Sequence, residues 1–148
     1  MTATKSVLDT TILQKANALL SHEPSAASLF IRRLRLLQSF VSGERTALIS
    51  RRLIIEYRRQ IPTPRNDFVS AFLSILARPG GAELNWDKSW SSHRESARRC
   101  RFPPEDYHVL RTAILEDYES VVFTEEDRML RTNRCVHRRL GVHVLGLP

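Results

Sequence analysis

RTALISRRLIIEYRRQ, Arg45–Gln60, is the stretch on which the reading of the fold turns. Ala47, Ser50, Ile54 and Tyr57 fall three or four residues apart, in a row that Ile61 extends, with Ile49 and Leu53 beside it. That is the spacing of one helical face, and it predicts a single helix across the stretch, stopped by Pro62 and Pro64. Upstream, SLFIRRLRLLQSF (Ser28–Phe40) has a wider stripe of Phe30, Leu34, Leu37 and Val41, flanked by Leu29, Leu36 and Phe40. Arg32, Arg33 and Arg35 border the stripe, and Gly43 is a natural left-handed stop.

The same period continues outward. Thr11–Ser21 reads as a short amphipathic helix, broken by HEPSAAS, where Ser25 or Ser28 offers a cap. Asn66 or Asp67 can cap a helix with Phe68, Phe72, Ile75 and Leu76 on one face, ending at ArgProGlyGly. Residues 82–103 show no clean period, contain Trp86, Trp90 and the basic run HRESARRCR, and leave room for a short helix near Ser91–Cys100. Pro104 opens a further helix, with Glu105 and Asp106 at its positive end and Tyr107, Leu110, Ile114 and Val121 on its apolar face. Thr124–Asp127 is a capping-box-like start for a last helix through Leu140, and GVHVLGLP is the tail. No stretch shows strand alternation flanked by turns. The expectation is one all-α domain over residues 1–148.

A chain of 148 residues, 42% hydrophobic and 26% charged, suits a single folded unit with a real core. A formal charge of +7 and a pI near 10.2 favour an anionic partner: nucleic acid, an acidic protein or an anionic membrane surface. No apolar run approaches the roughly 20 residues that cross a bilayer. The N-terminus lacks the features of a secretory signal and has some transit-peptide character, though without arginine. Cys100 and Cys135 form no framework and have no Cys-x-x-Cys neighbour, and His137 beside Cys135 does not make a zinc site; a reducing compartment fits best.

Motifs of catalysis are absent: no glycine-rich phosphate loop, no His-Glu-x-x-His, no Gly-x-Ser-x-Gly. Glu116–Asp117 and Glu125–Glu126 read as solvated or helix-start charges, and the five histidines are scattered. The sequence therefore predicts no catalytic residues, no metal ligands, no cofactor of its own and no enzyme. Trp86 and Trp90 read as anchors of the irregular segment, or as part of a partner interface.

Two segments, Leu29-Phe30-Ile31-Arg32-Arg33-Leu34 and Arg51-Arg52…Tyr57-Arg58-Arg59 around the Gly43 loop, resemble the start of the Leu-Tyr-Arg ("LYR") family of small mitochondrial helical proteins. The motif here reads Phe-Ile-Arg, so only Arg32 matches strictly, and the likeness covers roughly residues 28–77. The ending GVHVLGLP is similar to that of the formation-of-mitochondrial-complexes branch. The resemblance implies a three-helix core over residues 28–77 and a helical extension over 82–148. It also implies a matrix assembly factor or accessory subunit of a respiratory complex, ATP synthase or the mitoribosome. Such a protein docks an acidic acyl carrier protein and a client subunit. Arg32, Arg33, Arg35, Arg51, Arg52 and Arg58 would then meet the carrier's acids. Phe30, Leu34, Leu37, Ile54, Tyr57 and Phe72 would line the core or a tunnel for the carrier's acyl-phosphopantetheine. The alternative is a basic helical module that binds RNA or a ribonucleoprotein.

Overall fold

The computed structural model describes residues 3–18 and 24–148. Within Arg45–Gln60 the expected helix divides in two. Arg45–Ile49 is a strand, β2, and the helix α3 begins only at Arg51 and runs to Gln60. Ser50 makes the break: its backbone is extended (φ −134°, ψ 162°) and its Oγ accepts from the Leu53 N–H at 3.2 Å, capping α3. Ala47, Leu48 and Ile49 are all buried, so this run faces apolar neighbours on both sides and shows no alternation.

Three other strands arise in the same way. β1 is Thr4–Leu8, β4 is Ser120–Phe123 and β5 is Val142–Leu145, with the short β3 at Ala82–Leu84. The five form one parallel sheet in the order β3-β2-β1-β4-β5. The all-α expectation and the three-helix core are therefore incorrect, and the architecture is α/β. The cause is physical: β1, β2 and β4 contribute short, largely buried apolar runs that periodicity cannot tell from a piece of buried helix, and the part-exposed edge strands β3 and β5 have only three and four residues, too few to stand out. Val121, expected on a helix, lies on β4, and the tail VHVL is β5.

The helices are α1 (Thr10–Ala16), α2 (Pro24–Val41), α3, α4 (Asp67–Ala77), α5 (Trp90–Arg99), α6 (Tyr107–Ala113), α7 (Asp127–Leu130) and α8 (Asn133–Leu140). A 3-10 turn, Pro104–Asp106, leads into α6. The expected end of the first helix and the start of the HEPSAAS break (residues 19–23), together with the Ser25 side chain, lie outside the described residues. Gly43 takes the left-handed conformation (φ 86°) just past α2, and Asn66 caps α4 by accepting from the Val69 N–H at 3.0 Å. The single helix expected from Thr124 to Leu140 divides into α7 and α8.

Phe72 stands edge-on to both Phe40 and Tyr57, with centroids 5.4 and 6.1 Å apart, and the Tyr57 hydroxyl donates to the Leu8 carbonyl at 2.5 Å. Those contacts fasten α2, α3 and α4 to β1. Cys100 and Cys135, expected as separate thiols, are joined in a disulfide that ties the end of α5 to α8 across 35 residues of sequence. No described helix is long and apolar enough to cross a membrane.

The strand order has a functional consequence. The chain builds β1, β2 and β3 toward one edge, then returns to place β4 and β5 on the other side of β1. Loops leaving the carboxyl ends of β1 and β4 thus diverge and leave a crevice, the usual ligand position in open parallel sheets.

Candidate functional site: four carboxylates at the sheet's switch point

The crevice is acidic. Asp9 follows the last residue of β1, and its backbone N–H donates to the Phe123 carbonyl at 2.9 Å, fixing it beside the end of β4. Its carboxylate is 4% exposed and accepts from the Thr11 and Thr124 hydroxyls at 2.7 and 2.8 Å, both on Oδ2. Burial pushes the Asp9 carboxyl up, against those hydroxyl donors and with help from the negative charge of Glu56.

Glu56 reaches the same place from α3. The His108 Nε2 hydrogen bond to Glu56 Oε2 (2.7 Å) holds its carboxyl below the usual range, and Arg52 adds a smaller pull in the same direction. Asp106 comes from the turn before α6; burial, then the charges of Asp9, Glu126 and Glu105, raise it to about 6. Glu126 follows β4, and burial and Asp9 raise it too. Four elements distant in sequence thus bring Glu56, Asp106 and Glu126 within electrostatic range of Asp9, and Asp106 within range of Glu126.

Asp9, Asp106 and Glu126 take part in no salt bridge among the described residues, while neighbouring Glu125 and Glu105 do. Arg33 grips Glu125 with two 2.8 Å contacts, and Arg128 holds Glu105 at 2.7 Å. Two buried polar atoms at this crevice also lack partners: His108 Nδ1, and Thr10 Oγ1, which is turned toward Glu56 without closing a hydrogen bond. Asp9 is buried and Asp106 and Glu126 are half-buried, and unpaired carboxylates that repel one another at reduced exposure to water are costly. A hard divalent cation such as Mg²⁺ or Mn²⁺ relieves that cost, and an all-oxygen donor set suits such an ion. The carboxylates stand too far apart for three of their oxygens to lie within 4.8 Å of one another. That spacing fits an ion that keeps several waters and takes only one or two carboxylates directly.

The pH dependence follows from Asp106. Its folded value, about 6, lies above the ordinary 3.8, so folding favours its protonated form. That contribution is complete below about pH 4 and is lost as pH rises through about 6. Asp106→Asn should therefore raise stability by ~1–2 kcal/mol at neutral pH without divalent cation, allowing for solvent screening, and by almost nothing near pH 4. Urea midpoints at the two pH values check this; an equal gain at both would show that Asp106 does not carry the repulsion.

Around the acids lies a basic and apolar surface. A cavity of about 370 Å³ is lined by Arg52, Ile55, Glu56, Arg59, Glu105 and His108. It adjoins a second, of about 570 Å³, through shared Arg52 and Ile55, where Leu84, Trp86 and Lys88 add further walls. Ile55, Leu84 and Trp86 are exposed, and the Arg111 guanidinium lies 4.3 Å from the Trp86 ring centroid. The irregular segment holding Trp86 is thus anchored by a cation on the indole and keeps apolar surface open to the cavity.

The residues singled out in the sequence are distributed otherwise. Arg32 donates to the carbonyls of Leu147 and Pro148, Arg33 is paired with Glu125, and Arg35 is exposed on α2. Arg51 and Arg52 line the larger cavity, and Arg58 is exposed beside a separate groove with Ile54 and Tyr57. Leu37, Tyr57 and Phe72 are fully buried in the core, Leu34 and Ile54 pack partly buried against it, and Phe30 is half-buried. Asp9, Glu56, Asp106 and Glu126 were not among the candidates. Asp9 and Glu126 follow the short apolar runs SVL and VVF closely, an acid just past a buried strand, and that is the signal available for two of the four. No protein-family model matches the chain, and no curated protein or solved structure is significantly similar to it.

Proposed function

We propose that the protein is a divalent-cation-dependent phosphodiesterase acting on single-stranded nucleic acid. The observation that carries this reading is the set of four carboxylates at the switch point, three of them without a cationic partner, on an otherwise basic chain. Asp9, Asp106 and Glu126 are the residues to hold the cation. When bound, it offsets their repulsion, polarises a phosphoryl oxygen and lowers the pKa of an attacking water.

The chain's own residues do the rest. Arg52, Arg59, Lys15 and Arg128 rim the acids and attract the phosphates that the carboxylates alone would repel. His108 holds Glu56 Oε2 at 2.7 Å and so keeps this carboxylate ionised and in place beside the acids, on the wall of the smaller cavity. Ile55, Leu84 and Trp86 give one nucleobase an apolar face to rest on. A duplex keeps its base faces stacked, so such a surface selects single strands. Hydrolysis is balanced by water alone: a P–O bond to the new nucleophile forms and the P–O bond to the leaving sugar oxygen breaks.

The test is cleavage of an end-labelled single-stranded RNA or DNA with Mg²⁺ or Mn²⁺. Cut product with either ion and none with chelator supports the reading; an intact strand at high enzyme with both ions overturns it. Trp86→Ala should weaken single-strand binding by ~1–3 kcal/mol and leave duplex binding nearly unchanged, measured by fluorescence anisotropy. Equal losses for both would remove the base-stacking role.

A further inference from the structure

At the opposite end of the sheet a second constellation has different chemistry. Glu119 lies just before β4, His137 on α8, and His143 is the second residue of β5. Gly141, left-handed at φ 70°, caps α8 and turns the chain directly into β5. That tight turn, together with the β4–β5 pairing of Val121 with His143, brings the two imidazoles together. Their rings stack with centroids 3.8 Å apart and 27° between planes. His137 Nε2 lies 2.8 Å from Glu119 Oε1, and His143 Nε2 lies 3.1 Å from Oε2. These are the only three His, Cys, Asp or Glu side chains among the described residues whose ligand atoms all lie within 4.8 Å of one another.

We infer that Glu119, His137 and His143 form a binding site for a borderline divalent transition cation of the Zn²⁺ class. Two imidazole nitrogens and one carboxylate oxygen are the donor set of a three-ligand zinc site with a fourth position left for water. Imidazole selects Zn²⁺, Ni²⁺ and Cu²⁺ over Mg²⁺, so this site and the all-oxygen crevice sort different ions. One cation can bind both imidazole nitrogens and the carboxylate together, because the three ligand atoms already lie within 4.8 Å of one another. Small rotations of the two rings and the Glu119 side chain, all part-exposed, move the ligand atoms from 2.8 and 3.1 Å to the roughly 3.3 Å separations of two ligands on one tetrahedral zinc, leaving room for the ion between them. Bound metal would clamp α8, β5 and the approach to β4, the edge that the Cys100–Cys135 disulfide ties to α5.

The test is isothermal titration of the chelator-stripped protein with Zn²⁺ in saturating Mg²⁺, which fills the acidic crevice with its preferred ion. One equivalent should bind and the melting temperature should rise. His143→Gln and, independently, His137→Gln should weaken binding by more than about a hundredfold, beyond the tenfold to hundredfold loss typical of residues behind a metal's direct ligands. Both should also abolish the thermal shift, whereas His93→Gln, outside the trio, should change neither. Failure of the Mg²⁺-saturated protein to take up Zn²⁺ would overturn the inference. So would undiminished uptake by whichever histidine variant folds. Neither result bears on cleavage at the opposite end of the sheet.

Discussion

Asp9→Asn should lower the rate of the proposed phosphodiester cleavage at least about hundredfold, a loss of ~3 kcal/mol of transition-state stabilisation, without unfolding the protein. The two effects separate because of how Asp9 is held. The Thr11 and Thr124 hydroxyls donate to a single oxygen, and an asparagine retains one carbonyl oxygen to accept both. Neutralising a buried carboxyl that its surroundings push up removes a destabilising charge. Without divalent cation the variant should therefore melt at or above the parent's temperature. Its melting point should also respond less to added Mg²⁺, because one of the oxygens that the ion draws on is gone. Single-turnover cleavage measured beside Mg²⁺-dependent melting checks both halves. An asparagine variant that cleaves as fast as the parent would end the assignment of Asp9; one that melts far lower would mean that its charge is structural.

Phe72→Ala should destabilise the protein by ~3–5 kcal/mol, a large part of the stability of a domain this size. The ring is fully buried, and its removal takes away edge contacts with Phe40 and Tyr57 together. The cavity lies where α2, α3 and α4 meet, and the neighbouring elements are pinned: Tyr57 by its hydrogen bond to the Leu8 carbonyl, α4 by its Asn66 cap. They cannot close in fully, which puts the cost toward the upper end. Tyr57 adjoins Glu56 in sequence, so the lesion also loosens one wall of the acidic crevice. Urea denaturation with an unchanged slope is the measurement. A loss below about 0.5 kcal/mol, the size of an ordinary surface change, would mean that the ring does not close the core.

Both predictions depend on a fold that helical periodicity did not disclose. Where it was legible, the signals were local: the apolar stripe of α2, the left-handed Gly43 after it, Pro62 and Pro64 beyond α3, and the Asn66 cap. Each is a short-range steric or hydrogen-bonding preference that a few neighbouring residues settle. The strands were misread in short apolar runs; the Cys100–Cys135 bond and the break between α7 and α8 were missed as well. In Arg45–Gln60 the row Ala47, Ser50, Ile54, Tyr57 matches a helix by coincidence, because every residue of a doubly buried strand can be apolar and so can match any period. One hydroxyl, Ser50, caps α3 and marks the true boundary. The same serine could have continued a helix, and nothing local distinguishes the two uses.

What the sequence determined by itself was the basic balance, the apolar content of a folded chain, the stops of α2 and α3, and the cap and stop of α4. Only the tertiary structure decided that five short runs pair edge to edge, that Cys100 meets Cys135, and that Glu56, Asp106 and Glu126 come within electrostatic range of Asp9. Parallel pairing joins segments tens of residues apart through hydrogen bonds of the backbone, which every residue but proline can make, so it leaves no mark on side-chain spacing. The acids were visible one at a time as helix-start and surface charges. Their chemistry comes from convergence at the place where the strand order reverses, and that place exists only once the sheet has formed.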